Sequence, residues 1–130
     1  MFEGLQARVL LVISVGGVMG SLARYSIAEL MSHSQWTDLV ATLMVNVLGA
    51  FAIGMAYPWI RSRSGSPLWQ PFIITGLLGG FTTFSTLAAD VVIYDDQPFL
   101  AVGYLACTLL IGLLAVPLGS RAFALLRRPA

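Results

Sequence analysis

The stretch GLLGGFTTFSTL, residues 76–87, decides how the rest of the sequence is interpreted, because it places polar groups inside an apolar run. It holds three glycines and four hydroxyl side chains, with Phe81 and Phe84 among them. Hydrocarbon offers such groups no hydrogen-bond partner. The stretch therefore predicts one of two structures. Either an irregular backbone meets protein, water or an ion, or the helix is merely kinked and its hydroxyls bond back to the preceding turn.

The composition indicates an integral membrane protein with a single domain, residues 1–130. Of its residues, 58% are hydrophobic and 10% are charged, against about 25% charged in soluble domains. A net charge of +1 argues against nucleic acid as a partner. We find no catalytic triad, paired carboxylates or phosphate loop, so an enzyme is not expected. Cys107 stands alone and is expected to be packed, and His33 is expected in a loop rather than at a metal.

Four stretches are long and apolar enough to be transmembrane helices. About 20 helical residues cross the hydrocarbon core, and the predicted spans are 7–31, 37–60, 67–94 and 97–126. The first superficially resembles a signal peptide, but we expect it to be retained because three further spans need a packing partner. The sequence thus predicts an all-α membrane protein with four transmembrane helices per subunit, the third broken near its middle.

The arginines are distributed unevenly between the two ends of these spans. An even number of spans puts both termini on one side, which then carries six of the seven basic residues. These six are Arg8, Arg61, Arg63, Arg121, Arg127 and Arg128. Arg24 alone lies on the other side. The positive-inside rule therefore predicts cytoplasmic termini.

Small residues recur at a spacing that lets membrane helices approach closely. Gly16 and Gly20 form a GxxxG motif in the first span, and Ala50 with Gly54 and Ala115 with Gly119 have the same spacing in the second and fourth. So many small-residue faces on a short chain suggest oligomerisation, although packing alone would explain most of them.

Polar residues from three spans fall at similar depth near the bilayer midplane. They are the Gly79–Gly80 pair in the third span, Asn46 in the second and Thr108 in the fourth. Asn46 alone could simply join two helices by a hydrogen bond. Their coincidence at one level instead favours a pathway or a binding site.

This polar lining suits an anion beside a weakly held cation. Amide and hydroxyl hydrogens and the positive edges of Phe81 or Phe84 attract negative charge, while no Lys or Arg lies mid-span to trap it. A helix interrupted at Gly79–Gly80 would expose carbonyl oxygens without carboxylates, which suits a hard monovalent cation.

These motifs resemble the Fluc (CrcB) fluoride channels over nearly the whole chain. The resemblance is carried by GLLGGFTTFSTL in the third span, TLMVNVLGAFAIG (42–54) in the second and GSLARY (20–25) in the first, with Tyr104 and Thr108 in the fourth. It implies a bacterial inner-membrane, multi-pass channel that exports cytoplasmic fluoride. It further implies an antiparallel dual-topology dimer with two pores and a structural Na⁺ at the subunit interface.

The resemblance also implies roles for individual residues. The sodium ligands would be the main-chain carbonyls of Gly79 and Thr82 from both subunits. Fluoride would meet Asn46 and the ring edge of Phe84. The remaining residues of its path would be Ser85, Thr86, Tyr104, Thr108 and, near the vestibule, Thr42.

Arg24 and Leu87 are two further positions at which the sequence can be compared with the family. Arg24 matches the first-helix arginine of the family, whose role could be salt bridging or anion attraction. Leu87 stands where the family usually has a second phenylalanine, so each pore would lack one aromatic edge. Gly112 also stands at a position where the family often has a hydroxyl side chain along the fluoride path.

The arginine bias leaves two dimeric arrangements open. A homodimer of opposed copies needs a chain that inserts both ways, whereas this distribution favours one orientation. The chain could instead be the fixed-orientation half of a heterodimeric fluoride channel. The intact GGFTTFS motif and Asn46 favour the homodimer.

Two proteins from other classes are weaker alternatives. A small dual-topology transporter of cationic drugs needs a carboxylate in the first span, and residues 9–23 contain none; Asp90 lies late in the third. A non-transporting assembly subunit would explain the small-residue faces, but not the polar groups gathered at one depth.

Overall fold

The structure, a computed structural model, describes residues 2–31, 35–63, 65–94 and 96–127. Its elements are α1 (Phe2–Met31), α2 (Gln35–Arg61), a π-helical segment (Pro71–Leu78), α3 (Gly79–Phe81), α4 (Phe84–Ile93) and α5 (Pro98–Leu126). His33 lies outside the described residues.

Four helical stretches are long and apolar enough to cross a membrane: Gly4–Met31, Asp38–Arg61, Pro71–Ile93 and Pro98–Leu126. The mean hydropathies of these stretches lie between 1.5 and 2.4. Two of the helices contain an internal proline, Pro58 in α2 and Pro117 in α5. Within the described residues, the prediction of an all-helical chain with four such helices is confirmed.

The third span is built from three short helical pieces rather than one regular helix. Pro71, which lacks an amide hydrogen, begins the π-helical segment, and Gly79 continues it in the right-handed helical region (φ −66°, ψ −36°). The chain becomes extended only at Thr82 (φ −74°, ψ 154°) and Thr83 (φ −143°, ψ 118°). The predicted interruption at Gly79–Gly80 was therefore misplaced, since both glycines lie within α3.

The helices pack as two pairs joined in the middle of the chain. α1 lies against the π-helical segment and α3, while α2 lies along α5. α4 contacts both α2 and α5. The interrupted third span consequently connects the two pairs, with its first half against α1 and its second half beside α5.

Gly80 of the third span lies in close contact with α1, whereas a methyl group at Gly79 would make an ordinary contact of 3.5 Å with the Ile74 carbonyl of its own span. A methyl group added at Gly80 would lie 2.5 Å from the Gly17 carbonyl oxygen, and one added at Gly20 would overlap the Leu77 carbonyl. These positions accept only hydrogen because backbone meets backbone. This close contact explains why position 80 is a glycine although the chain is helical there.

The small residues of α2 and α5 likewise allow these two helices to approach each other closely within one chain. A methyl group at Gly54 would overlap the Val116 carbonyl, and one at Gly119 would overlap the Phe51 carbonyl. The GxxxG-type motifs of the first, second and fourth spans thus lie at contacts inside one subunit, so they supply no separate sign of oligomerisation.

The outer faces of the chain are strongly apolar. Large side chains along every span are exposed, with Phe99 at 95% and Phe84 at 73%. Cys107 is also exposed, so the expectation of a packed thiol was wrong for the single chain. Such faces suit lipid or another membrane helix, because neither requires polar groups.

Gly20→Ala should destabilise the fold, because its methyl group would push α1 away from the Leu77 carbonyl. We expect a loss of about 1–3 kcal/mol, as for an overpacked core, measured as a lower midpoint of thermal unfolding in detergent. Gly17→Ala is the matched control in the same helix, since its methyl group would meet nothing within 4 Å. Equal midpoints for the two variants would contradict the close approach at Gly20.

Candidate functional site

The side chain of Asn46 holds the interrupted backbone of the third span. Its Nδ2 donates to the Thr83 carbonyl oxygen at 2.9 Å, and its Oδ1 accepts from the Thr83 N–H at 2.8 Å. Both main-chain groups of Thr83 are thereby paired across 37 residues of sequence. An amide is suited to this because it presents a donor and an acceptor side by side. One of its two N–H hydrogens remains for another partner.

Thr83 also begins α4 through its hydroxyl. Thr83 Oγ1 accepts from the Thr86 N–H at 3.1 Å and donates to Thr86 Oγ1 at 2.9 Å, with Ser85 Oγ 3.3 Å away. This is an N-cap interaction, which satisfies one of the free amides of the first helical turn. The predicted residues Ser85 and Thr86 are thus gathered around Thr83, which we had not singled out.

Two carbonyl oxygens lose their usual helical donors at this interruption. A continuing helix would direct the Thr83 N–H to the Gly79 carbonyl and the Thr86 N–H to the Thr82 carbonyl. Those amides donate instead to Asn46 and to Thr83 Oγ1. The Thr82 hydroxyl does not compensate, because it donates to the Leu78 carbonyl at 3.0 Å.

Gly79 and Thr82 are the residues predicted to bind sodium. Their main-chain oxygens fit that ion, since carbonyls are hard ligands and two of them here lack their helical donors. Among the described residues there is no group of three or more His, Cys, Asp or Glu that could hold a metal. Two uncharged carbonyl oxygens are thus the donors available to the predicted sodium ion.

Arg24 lies against the same interruption. Its Nε donates to the Gly80 carbonyl oxygen at 3.3 Å, and Ser21 Oγ donates to that oxygen at 3.4 Å. This contact is neither of the two roles considered from sequence, salt bridging and anion attraction. It ties the end of α1 to the last turn of α3.

A cavity of about 440 Å³, here called cavity A, opens beside Arg24 and combines apolar walls with polar and charged side chains. Residues from α1, α2 and α4 line it, among them Arg24, Asp38, Thr42, Thr83, Thr86 and Asp90. It brings together two predicted pathway residues, Thr42 and Thr86. It also contains a cation and two carboxylates, so an anion entering here would meet charges of both signs.

Asp90 is a feature of cavity A that we used only to judge a rival class of transporter. It is buried, and its Oδ2 accepts a hydrogen bond of 2.9 Å from the hydroxyl of Tyr104. Tyr104, predicted to lie along the path, therefore contacts a residue of cavity A without lining the cavity itself. A carboxylate inside an apolar span is itself a signal of function and could have been noticed.

A second cavity of about 360 Å³, cavity B, lies on the other side of Thr83. Uncharged residues line it, namely Asn46, Thr82, Thr83, Phe84, Leu87, Thr108, Leu109, Gly112 and Leu113. Thr83 borders both cavities. The predicted residues are thus divided, with Thr42 and Thr86 at cavity A and Asn46, Phe84 and Thr108 at cavity B.

Phe84 and Leu87, which occupy the two positions that are usually phenylalanine in the family, differ sharply in exposure. Phe84 is 73% exposed although it borders cavity B, whereas Leu87 is 2% exposed and forms part of the wall of the same cavity. Thr108, also buried, donates its hydroxyl to the Tyr104 carbonyl at 2.9 Å. Thr82 and Thr108 therefore bond back to their own helices, as the kinked-helix alternative predicts, but Thr83 does not.

The chain is similar in sequence to known channels. The family model of the CrcB-like proteins, described as Camphor Resistance (CrcB), matches residues 11–120. Relatives from Salmonella arizonae, Salmonella paratyphi B and Salmonella newport are each named fluoride-specific ion channel FluC. Each is 41% identical over 86 residues, which cover 65% of this chain and 68% of the relative.

The matched region includes α2, the interrupted third span and most of α5, and so contains the residues that form both cavities. The relatives of this chain are named as ion channels, which agrees with the prediction from sequence that it is not an enzyme. With four helices able to span a membrane, this chain is a multi-pass membrane protein that belongs to the CrcB family of fluoride-specific ion channels.

Proposed function

We propose that this chain lets fluoride cross a bacterial inner membrane passively, through a path that includes the two cavities and passes Thr83. The pairing of Asn46 with Thr83 carries this proposal, because it opens the third span where cavity A and cavity B meet. The relatives named fluoride-specific channels supply the choice of ion. Export follows if fluoride enters as its neutral acid and dissociates inside the cell.

The lining of cavity B is suited to a hard anion that must also leave. Asn46 keeps one amide hydrogen after bonding Thr83, and Phe84 can present the positive edge of its ring. No Lys or Arg lines this cavity, so the anion meets dipoles rather than full charges. Conduction requires that kind of moderate, repeated binding.

The hydroxyls around Thr83 would continue the path toward cavity A. Ser85, Thr86 and Thr83 lie within hydrogen-bonding distance of one another. A hydroxyl rotates at little cost, so each can turn its hydrogen toward a passing anion and then back to its neighbour. In this path Thr42 would meet the ion in the wall of cavity A, and Tyr104 would act from behind Asp90, to which it is hydrogen-bonded.

We further propose that two copies form an antiparallel dimer with two pores and a structural Na⁺ at the interface. The carbonyls of Gly79 and Thr82 would hold that ion, and its charge would supply a positive potential near the anion path. Gly79 is exposed in the single chain, as a ligand shared with a second subunit must be. The exposed ring of Phe84 is likewise free to reach a pore wall of its partner.

The arginine distribution supports an alternative pairing. Six of seven basic residues belong to one end of the spans, which favours a single orientation and hence a heterodimer with an oppositely inserted partner. Buried Leu87 would then affect the pore that contains its own Asn46, since both residues line cavity B. The homodimer remains our proposal because both cavities are formed by one chain.

Purified chain alone, reconstituted in liposomes loaded with potassium fluoride, should release fluoride rapidly when valinomycin is added. A fluoride electrode measures this efflux, and liposomes loaded with chloride provide the comparison. Equal release of both anions would contradict fluoride selectivity. No release from a well-folded sample would contradict the homodimer and favour the heterodimer.

Asn46→Leu should lower fluoride efflux by at least tenfold, because it removes the anion donor and releases Thr83. Leaving both backbone groups of Thr83 unpaired should also destabilise the fold by about 1–3 kcal/mol for each group. Asn46→Asp is the matched variant, as it keeps an acceptor for the Thr83 N–H but adds negative charge to cavity B. It should retain more stability and still conduct poorly, and normal efflux in either variant would remove Asn46 from the pathway.

Thr82→Ala and Thr83→Ala should differ, although the residues are adjacent. Thr82→Ala keeps the proposed sodium ligand, so the sodium dependence of efflux should not change. Thr83→Ala removes the cap of α4 and should lower stability by about 0.5–2 kcal/mol. Efflux measured with sodium and with N-methyl-D-glucamine separates the two effects. Loss of sodium dependence in Thr82→Ala would implicate its hydroxyl as the ligand.

A further inference from the structure

A groove on the surface of the chain shares no lining residue with cavity A or cavity B. It measures about 350 Å³ and lies between α2, the start of the third span and the end of α5. Its lining is apolar, consisting of Ala52, Met55, Ala56, Trp59, Ile73 and Phe123, all of them half-buried. We refer to it as the Trp59 groove.

Two arginines stand at the mouth of this groove, each over an aromatic residue of its wall. The guanidinium carbon of Arg63 lies 4.4 Å from the centre of the Trp59 ring, and that of Arg127 lies 5.5 Å from the Phe123 ring. Stacking uses the flat face of a guanidinium and leaves its N–H edge available. Among the described residues, both guanidinium groups thus contact an aromatic ring and keep N–H donors for an anionic oxygen.

The groove runs from a polar mouth to an apolar interior along one direction. α2 and α5 are parallel, because both cross the membrane in the same sense, so Arg61 and Leu126 end at the same side. Ala52 lies nine residues before Arg61, which places it about 14 Å deeper along α2. This order matches that of a lipid, with a charged headgroup above an acyl chain.

A second aromatic contact fixes the mouth. The Trp69 ring meets the Trp59 ring edge-on, with centroids 5.9 Å apart and planes at 81°. Tryptophan prefers the membrane interface, where headgroups lie. The segment between α2 and the third span is thereby held beside the groove, which keeps Arg63 over Trp59.

We propose that the Trp59 groove binds an anionic glycerophospholipid, with its phosphate between Arg63 and Arg127. In a bilayer an apolar groove gains little by choosing among acyl chains, since all are equally apolar. Discrimination must come from the headgroup, and the two arginines favour negative charge. Nothing in this proposal depends on fluoride conduction, because neither the groove nor its arginines line cavity A or cavity B.

Quenching of Trp59 fluorescence by brominated lipids tests this site in the full chain. In a background with Trp36→Phe and Trp69→Phe, which leaves Trp59 as the fluorescent tryptophan and an aromatic ring at position 69, phosphatidylglycerol brominated on its acyl chain should quench more strongly than brominated phosphatidylcholine. A basic residue near an anionic surface is worth about fivefold in affinity, so the pair Arg63→Gln and Arg127→Gln should weaken phosphatidylglycerol binding about 25-fold.

Arg121→Gln is the matched control. It removes the same charge from an exposed position on α5 that belongs to neither side of the groove. It should preserve the preference for phosphatidylglycerol. If one Arg121→Gln change lowered that preference as much as Arg63→Gln alone, general surface charge would explain the binding and the proposal would fail.

Two further measurements separate the lipid from other occupants. Glycerophosphoglycerol, which has the headgroup without acyl chains, should not displace the brominated lipid; displacement at similar concentration would show a site for phosphate alone. Ala56→Leu fills the groove while leaving both arginines, and it should reduce quenching by the two lipids alike. Absence of quenching by either lipid in the parent chain would show that another subunit covers the groove, which also overturns the proposal.

Discussion

The pairing of Asn46 with the backbone of Thr83 is the interaction on which the rest of the site depends. A helix inside hydrocarbon cannot be opened unless the released N–H and C=O groups find partners within the protein. One side-chain amide supplies both, at 2.8 and 2.9 Å. Because these bonds replace helical ones, the chain can become extended at Thr82 and Thr83 without leaving Thr83 unsatisfied. The adjacent carbonyls of Gly79 and Thr82 then become available to an ion.

The sequence located this interruption only approximately, for an identifiable physical reason. Glycines are the usual local sign of irregular backbone, so Gly79 and Gly80 were the natural choice. The structure uses Gly80 for the approach of α1, whose Gly17 carbonyl leaves no room for a side chain. The actual cause of the interruption lies 37 residues away at Asn46. Thr83 is a favourable N-cap residue for the helix that follows, but the pairing of its backbone with Asn46 cannot be read from the local sequence.

Other parts of the structure were predictable to different degrees. Long uncharged runs indicate membrane helices reliably, because bilayer thickness sets their length. The direction of individual side chains did not follow from spacing. Phe84 and Leu87 are three residues apart on one helix, yet one is 73% exposed and the other 2%. The bond from Tyr104 to Asp90 was also missed, since it requires knowing how α4 turns toward α5. Charge and hydropathy thus predicted the architecture, whereas the site required contacts between distant residues.

The arginine-rich end of the molecule connects orientation to lipid chemistry. Arg63 and Arg127 belong to the group that biases the chain toward cytoplasmic termini, and both stand at the Trp59 groove. A chain inserted with that bias puts the groove in the cytoplasmic leaflet, which is rich in anionic lipid. An oppositely inserted copy puts an identical groove in the other leaflet. The two subunits of an antiparallel homodimer would therefore differ in bound lipid wherever the leaflets differ.

If the groove binds as proposed, anionic lipid in a leaflet stabilises the copy whose groove faces it. Equal amounts of that lipid in the two leaflets stabilise both orientations equally and leave the arginine bias unchanged, whereas an excess in the cytoplasmic leaflet reinforces it. Lipid composition and arginine placement then act on the same equilibrium, and anionic lipid enriched in the cytoplasmic leaflet disfavours the oppositely inserted copy that an antiparallel homodimer needs.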